Sequence, residues 1–132
     1  MKLFIDTSAF LAVLDADDHN HRAAKRAWTT SLEAGHHLFT SSFVLCETLA
    51  LTQYRMGLEA VRAFHEDIFP LLNVIWIDQL SFNIAMQALL TANRKKISLV
   101  DCTSFSIMRE HHIPQVLAFD RHFSEQGFQV IG

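Results

Sequence analysis

Lys2-Leu3-Phe4-Ile5-Asp6-Thr7-Ser8 decides the class of fold. An unbroken apolar run that stops at an acid and then a hydroxyl pair reads as a buried strand handing over to a helix. Thr7 or Ser8 is the expected cap of a short helix reaching about Leu14. The same alternation continues along the chain. Asp18 is the expected cap of a helix through Ala34, which Gly35 stops. His37-Leu38-Phe39-Thr40 reads as a second strand, and Ser41 or Ser42 caps a helix from Phe43 to Met56. A further helix is expected from Leu58 to Phe69, before Pro70. Asn73-Val74-Ile75-Trp76-Ile77 is a third strand, with Asp78 capping a helix from Leu80 to Ala92. A helix starting near Asp101 and ending near His111 follows Ile97-Ser98-Leu99-Val100. Gln115-Val116-Leu117-Ala118-Phe119 ends at Asp120, Arg121 to Gln126 forms a short turn, and Phe128-Gln129-Val130-Ile131 closes the sheet. Strands this apolar, separated by helices, imply an α/β protein with a mostly parallel sheet covered on both faces.

The totals narrow the class. The 132 residues, half of them hydrophobic and 19% charged, suit one domain spanning 1–132 with a substantial core. No run approaches the roughly 18–20 apolar residues of a membrane span, and the first Asp comes too early for a secretory signal, so the expected location is cytoplasmic. A net charge of −3 argues against holding nucleic acid by charge alone. It leaves room for an acidic pocket that binds a cation, which then presents positive charge to a phosphate. Cys46 and Cys102 make no disulfide framework and no zinc spacing, and are expected as small buried helix residues. The eight histidines fall in no metal-ligand pattern and are read as loop, surface or RNA-contact residues.

Four acids stand out. Asp6 and Asp120 each follow an apolar strand, and ligands of open parallel sheets gather at the carboxyl ends of strands. Glu47 and Asp101 arrive from helices, among Val44, Leu45 and Leu49 in the first case and Leu99, Val100 and Phe105 in the second. A carboxylate set among apolar residues needs a partner, and four in one crevice repel unless protonated or metal-bound. A hard divalent ion such as Mg²⁺ or Mn²⁺ relieves that repulsion, polarises a phosphodiester and activates water. Each acid also has a plainer reading. Asp6, Asp101 and Asp120 can serve as caps, as Asp78 is read to do, and Glu47 can face solvent.

The order of the motifs adds weight. Phe4-Ile5-Asp6-Thr7-Ser8-Ala9, Ser42-Phe43-Val44-Leu45-Cys46-Glu47, Ser98-Leu99-Val100-Asp101 and Leu117-Ala118-Phe119-Asp120-Arg121-His122-Phe123 resemble the successive motifs of the PIN-domain family. Size and motif order are similar to the VapC-type toxins of toxin–antitoxin pairs. The resemblance implies a three-layer α/β/α sandwich and a Mg²⁺- or Mn²⁺-dependent endoribonuclease with Asp6, Glu47, Asp101 and Asp120 as catalytic and metal-holding acids. It implies in-line attack by water, leaving a 5′-phosphate and a 3′-hydroxyl. Thr7 or Ser8 would support a ligand or a water, and a cognate antitoxin and a homodimer are the implied protein partners. Many family members carry Thr or Ser shortly before the last Asp, where this chain has Ala118 and Phe119. Arg121, beside Asp120, is the best-placed candidate for RNA phosphate. Arg22, Lys25, Arg26, Arg94, Lys95 and Lys96 are further candidates whose plainer role is a solvated face.

Rival readings stay open. A phosphatase with an aspartyl nucleophile suits Asp6, but a second Asp is usual two positions on, where Ser8 stands. A receiver module usually places two adjacent acids after its first strand, and Asp6 stands alone. A catalytically silent PIN-like module that binds RNA or protein, and a nuclease of RNA processing rather than a toxin, are the alternatives within the family.

Overall fold

A computed structural model describes residues 1–132. Its strands are β1 (Lys2–Ile5), β2 (His37–Ser41), β3 (Leu72–Ile75), β4 (Gln115–Leu117) and β5 (Gln129–Ile131). The helices are α1 (Thr7–Leu14), α2 (His21–Glu33), α3 (Ser42–Met56), α4 (Leu58–Ala63), α5 (Gln79–Ala92), α6 (Leu99–Glu110) and α7 (His122–Glu125). The sheet runs β3-β2-β1-β4-β5, and every pairing is parallel.

Leu3, Phe4 and Ile5 are all 0% exposed. Successive strand residues point to opposite faces, so both faces of β1 are covered and the molecule is a three-layer α/β/α sandwich. One cluster of 21 buried residues forms the core, drawing on β1, β2 and β4 and on α1, α3 and α6. The chain adds β2 and β3 on one side of β1 and returns to add β4 and β5 on the other. The switch point between β1 and β4 therefore lies at the mouth of the sheet, with Ile5 in register with Leu117.

Several local expectations shift by a residue or two, each for a visible reason. Asp6, rather than Thr7 or Ser8, caps α1 by accepting from the Ser8 backbone N–H at 3.2 Å. Asn20, not Asp18, precedes α2, because the Asp18 carboxylate accepts from Asn20 N–H and holds the turn before the helix. Ser41 belongs to β2 and caps α3, accepting from Val44 N–H at 3.1 Å. α3 ends at Gly57, whose φ of +87° is a conformation that only glycine adopts without strain.

The helix expected over Leu58 to Phe69 is regular only to Ala63. A π-helical turn at Phe64–Ile68 and a 3-10 turn at Phe69–Leu71 follow. Pro70 has no backbone N–H to donate to a continuing helical ladder, and the wide turn keeps Phe64 and Ile68 in the core. β3 stops at Ile75, and Trp76 beyond it is 72% exposed. Asp78 caps α5 as expected, accepting from Ser81 N–H at 2.8 Å. Both cysteines are free, but only Cys102 is buried; Cys46 is exposed on α3, against the expectation for it. No helix is long and apolar enough to cross a membrane.

Candidate active site

Asp6 leaves β1 at the switch point, where three backbone donors tie the ends of β1, β4 and β5 and the start of α1 together. Asp6 N–H donates to Leu117 O at 3.1 Å, continuing the strand pairing for one residue. Ala118 N–H then turns to Ile131 O, and Phe119 N–H to Ser8 Oγ at 3.0 Å. β4 thus ends at Leu117 rather than at Phe119, and Asp120 sits on the loop that this stitching holds beside Asp6.

Ser8 works in two directions. Its hydroxyl donates to Asp6 Oδ2 at 2.7 Å while accepting from Phe119 N–H. Ala118 and Phe119 lack the hydroxyl common in the last motif, and Ser8 reaches the backbone there rather than Asp120. Asp120 itself is oriented by a backbone donor, His122 N–H at 2.9 Å from Oδ1. Ser8→Ala is expected to leave the Phe119 N–H unpaired and cost about 1–3 kcal/mol in urea unfolding. It should also raise the Asp6 pKa further, moving the acid limb of any metal-dependent rate upward. Ser8→Thr, which keeps the hydroxyl, should restore both.

Asp101 enters from α6, but not at its first residue. Ser98 caps the helix, and Asp101 completes a reciprocal pair: Asp101 N–H donates to Ser98 Oγ at 3.0 Å, and Ser98 N–H to Asp101 Oδ2 at 3.1 Å. This pairing occupies part of one carboxylate oxygen and fixes the side chain at the mouth of the sheet.

Asp6 is 4% exposed, and its carboxyl is pushed from its ordinary 3.8 to about 7. Burial is the main cause, partly countered by the Ser8 donors; the Asp120 and Asp101 charges add to it. Burial likewise raises Asp120, with Asp101 contributing and the His122 backbone donor opposing. Three of the four acids are therefore close enough to feel one another. Glu47 lies on the second turn of α3, half-buried, with no side-chain hydrogen bond or ion pair. Its neighbour Thr48 donates to Thr7 Oγ1 at 3.2 Å and fixes that turn against the start of α1. Thr7 therefore braces α3, while Ser8 braces Asp6.

His122, one of the eight histidines that fall in no metal-ligand pattern along the chain, belongs to this cluster. Its Nδ1 lies 3.4 Å from Asp101 Oδ2 and 3.8 Å from Asp120 Oδ1. One ligand-type atom from each of Asp101, Asp120 and His122 falls within 4.8 Å of the others. In the sequence its signal is its place within the last of the four motifs, two residues after Asp120. Arg121 is exposed beside Asp120, and the Arg94 guanidinium pairs with Glu125 of α7 at 3.5 Å. Lys95, Lys96, Arg22, Lys25 and Arg26 are exposed, as solvated faces are.

Hard carboxylate oxygens converging at one mouth, two of them destabilised in the charged form, suit a hard divalent cation. A PIN domain profile matches residues 3–129. The chain is 34% identical over 129 residues, 96% of its length and 95% of the relative's, to the 23S rRNA-specific endonuclease VapC20 of Mycobacterium tuberculosis. The crystal structure of that VapC20, a Sarcin-Ricin loop cleaving toxin, superposes with a TM-score of 0.85 at 33% identity, over 96% of this chain and 95% of that one. FitAcB from Neisseria gonorrhoeae shares the fold, with a TM-score of 0.71 at 17% identity over 98% and 96% of the two chains. VapBC2 from Rickettsia felis, bound to a promoter DNA fragment, shares it at 0.72 and 11%, over 98% and 97%. A profile match over nearly the whole chain, on a sheet whose switch point gathers Asp6, Asp101 and Asp120, places the chain in the PIN domain family.

Proposed function

We propose that this chain, a single PIN-like domain over 1–132, is a Mg²⁺- or Mn²⁺-dependent endoribonuclease and the toxin of a toxin–antitoxin pair. The observation that carries the reading is the crowding of Asp6, Asp101 and Asp120 at the switch point. Burial and two neighbouring carboxylates hold Asp6 near 7, a cost that a bound cation removes. Asp101 and Asp120, half-buried at the mouth, would hold the ion with Asp6 beneath them. Glu47, free of other partners, is the fourth acid in the proposal. When bound, the ion polarises the phosphodiester and lowers the pKa of the attacking water.

The remaining tasks fall to the chain. Ser8 and the His122 backbone N–H hold Asp6 and Asp120 in place. Arg121, exposed beside Asp120, offers a guanidinium to an RNA phosphate. Structured ribosomal RNA is the first substrate class to test, because VapC20 is a 23S rRNA-specific endonuclease. An antitoxin is the proposed regulator, since VapC20 is a toxin. A homodimer is proposed from the exposed Trp76, Leu80 and Leu90, and the cytoplasm is the proposed site of action.

The test is cleavage of 23S rRNA and of single-stranded RNA in Mg²⁺, Mn²⁺ or EDTA, with Asp120→Asn as the contamination control. Cutting with either ion, none in EDTA and none by the variant is the expected pattern. Cutting that survives EDTA or the substitution would refute the metal mechanism. Folded, ion-bound protein that cuts neither RNA would point to a silent binding module.

A further inference from the structure

The acids are not the whole of the cluster. His122 opens α7, and its side chain is 18% exposed while its Nδ1 is sealed from solvent without a hydrogen-bond partner. A buried ring nitrogen left unpaired is unfavourable, and this one faces two carboxylates. At 3.4 and 3.8 Å the nitrogen stands beside Asp101 and Asp120 without a hydrogen bond to either.

The placement is built into the fold. Phe123, fully buried, packs edge-on against Phe105 of α6, with ring centroids 5.1 Å apart, and Phe128 closes the same aromatic cluster. This contact locks α7 to α6, so His122 on one helix meets Asp101 on the other. The His122 N–H donating to Asp120 Oδ1 fixes the third member. Opposed ligands of a hard divalent ion, each at 2.0–2.6 Å, stand about 4–5 Å apart. Asp101, Asp120 and His122 offer atoms within 4.8 Å of one another, so a single ion can reach all three.

We propose that His122 Nδ1 is a ligand of the divalent ion, making Asp101, Asp120 and His122 a mixed oxygen–nitrogen set that favours Mn²⁺ over Mg²⁺. The inference rests on the reading of this cluster as a divalent-metal site. Neutral imidazole binds through the nitrogen that carries no hydrogen. Mg²⁺ prefers oxygen donors, whereas transition ions accept imidazole readily.

The experiment is pulsed EPR of Mn²⁺ titrated into the protein, with Mn²⁺ and Mg²⁺ affinities measured by calorimetry. Wild type should show the ¹⁴N modulation of a coordinated imidazole. His122→Asn should lose that modulation and bind Mn²⁺ about tenfold more weakly. His122→Asp, which returns an oxygen ligand, should lose the modulation and bring the Mn²⁺-to-Mg²⁺ affinity ratio down by about tenfold. Circular dichroism melts establish that each variant is folded. Tightly bound Mn²⁺ without ¹⁴N modulation, or modulation that persists in both variants, would overturn the assignment of His122 and leave the metal-nuclease reading standing. Wild type that binds no Mn²⁺ at all would overturn both.

Discussion

Asp101→Asn should abolish RNA cleavage, by roughly 10³-fold or more, in a protein that remains folded. The substitution separates the two jobs of this side chain. As a helix residue, Asp101 accepts from Ser98 N–H, and the amide oxygen of Asn can accept the same bond. The cap should therefore survive, with stability within about 1 kcal/mol of wild type. As a member of the site, Asp101 contributes a charge that raises both Asp6 and Asp120, and that charge disappears. Cleavage assays paired with urea unfolding read the two jobs independently. Wild-type cleavage by the variant would reduce Asp101 to a cap, and a collapse of stability would show that the charge matters to folding instead.

Asp6→Asn should have an equally large effect on cleavage and a second effect of opposite sign on stability. The folded protein keeps the Asp6 proton up to about 7, whereas the unfolded chain releases it near 3.8. Between those values the folded state binds more protons, so this group makes stability fall as pH rises. About three pH units of such linkage amount to about 4 kcal/mol, fully present below pH 4 and lost by pH 8. Asn never ionises and avoids that loss. In EDTA at pH 8 the variant should be about 2–4 kcal/mol more stable than wild type, and the gap should close at pH 4. Mg²⁺ or Mn²⁺ should narrow the gap at pH 8 by stabilising only wild type. Urea titrations at both pH values with the ion or EDTA measure all four corners. A variant less stable than wild type at pH 8 would contradict the account of Asp6 as a carboxylate under electrostatic load.

Much of this was legible from local pattern. The Leu3 to Ile5 run announced a strand buried on both faces, and Asp78 and the residues around Ser41 announced their helices, because caps and apolar periods are written within a few positions. Errors clustered where two local claims competed. Asp6 took the cap expected of Thr7 or Ser8 because its own carboxylate reaches the Ser8 N–H. The Phe119 N–H left the strand ladder for a hydroxyl 111 residues away, so β4 ended earlier than its apolar run suggested. Regular helix geometry gives way at Phe64, well before Pro70, to a π-helical turn that keeps Phe64 inside.

By itself the sequence determined the α/β class, the alternation of elements and the order of the four acids, all properties of neighbours along the chain. Tertiary structure alone decided that β4 lies beside β1, and so that Asp6 and Asp120, more than a hundred residues apart, share one mouth. It alone decided that Ser8 accepts from the Phe119 N–H, and that Phe123 swings His122 against Asp101. The physical reason is common to all three. Parallel pairing is made through crossovers, and a carboxyl's pKa through burial and charges close in space. Neither quantity is a function of what stands next in the sequence.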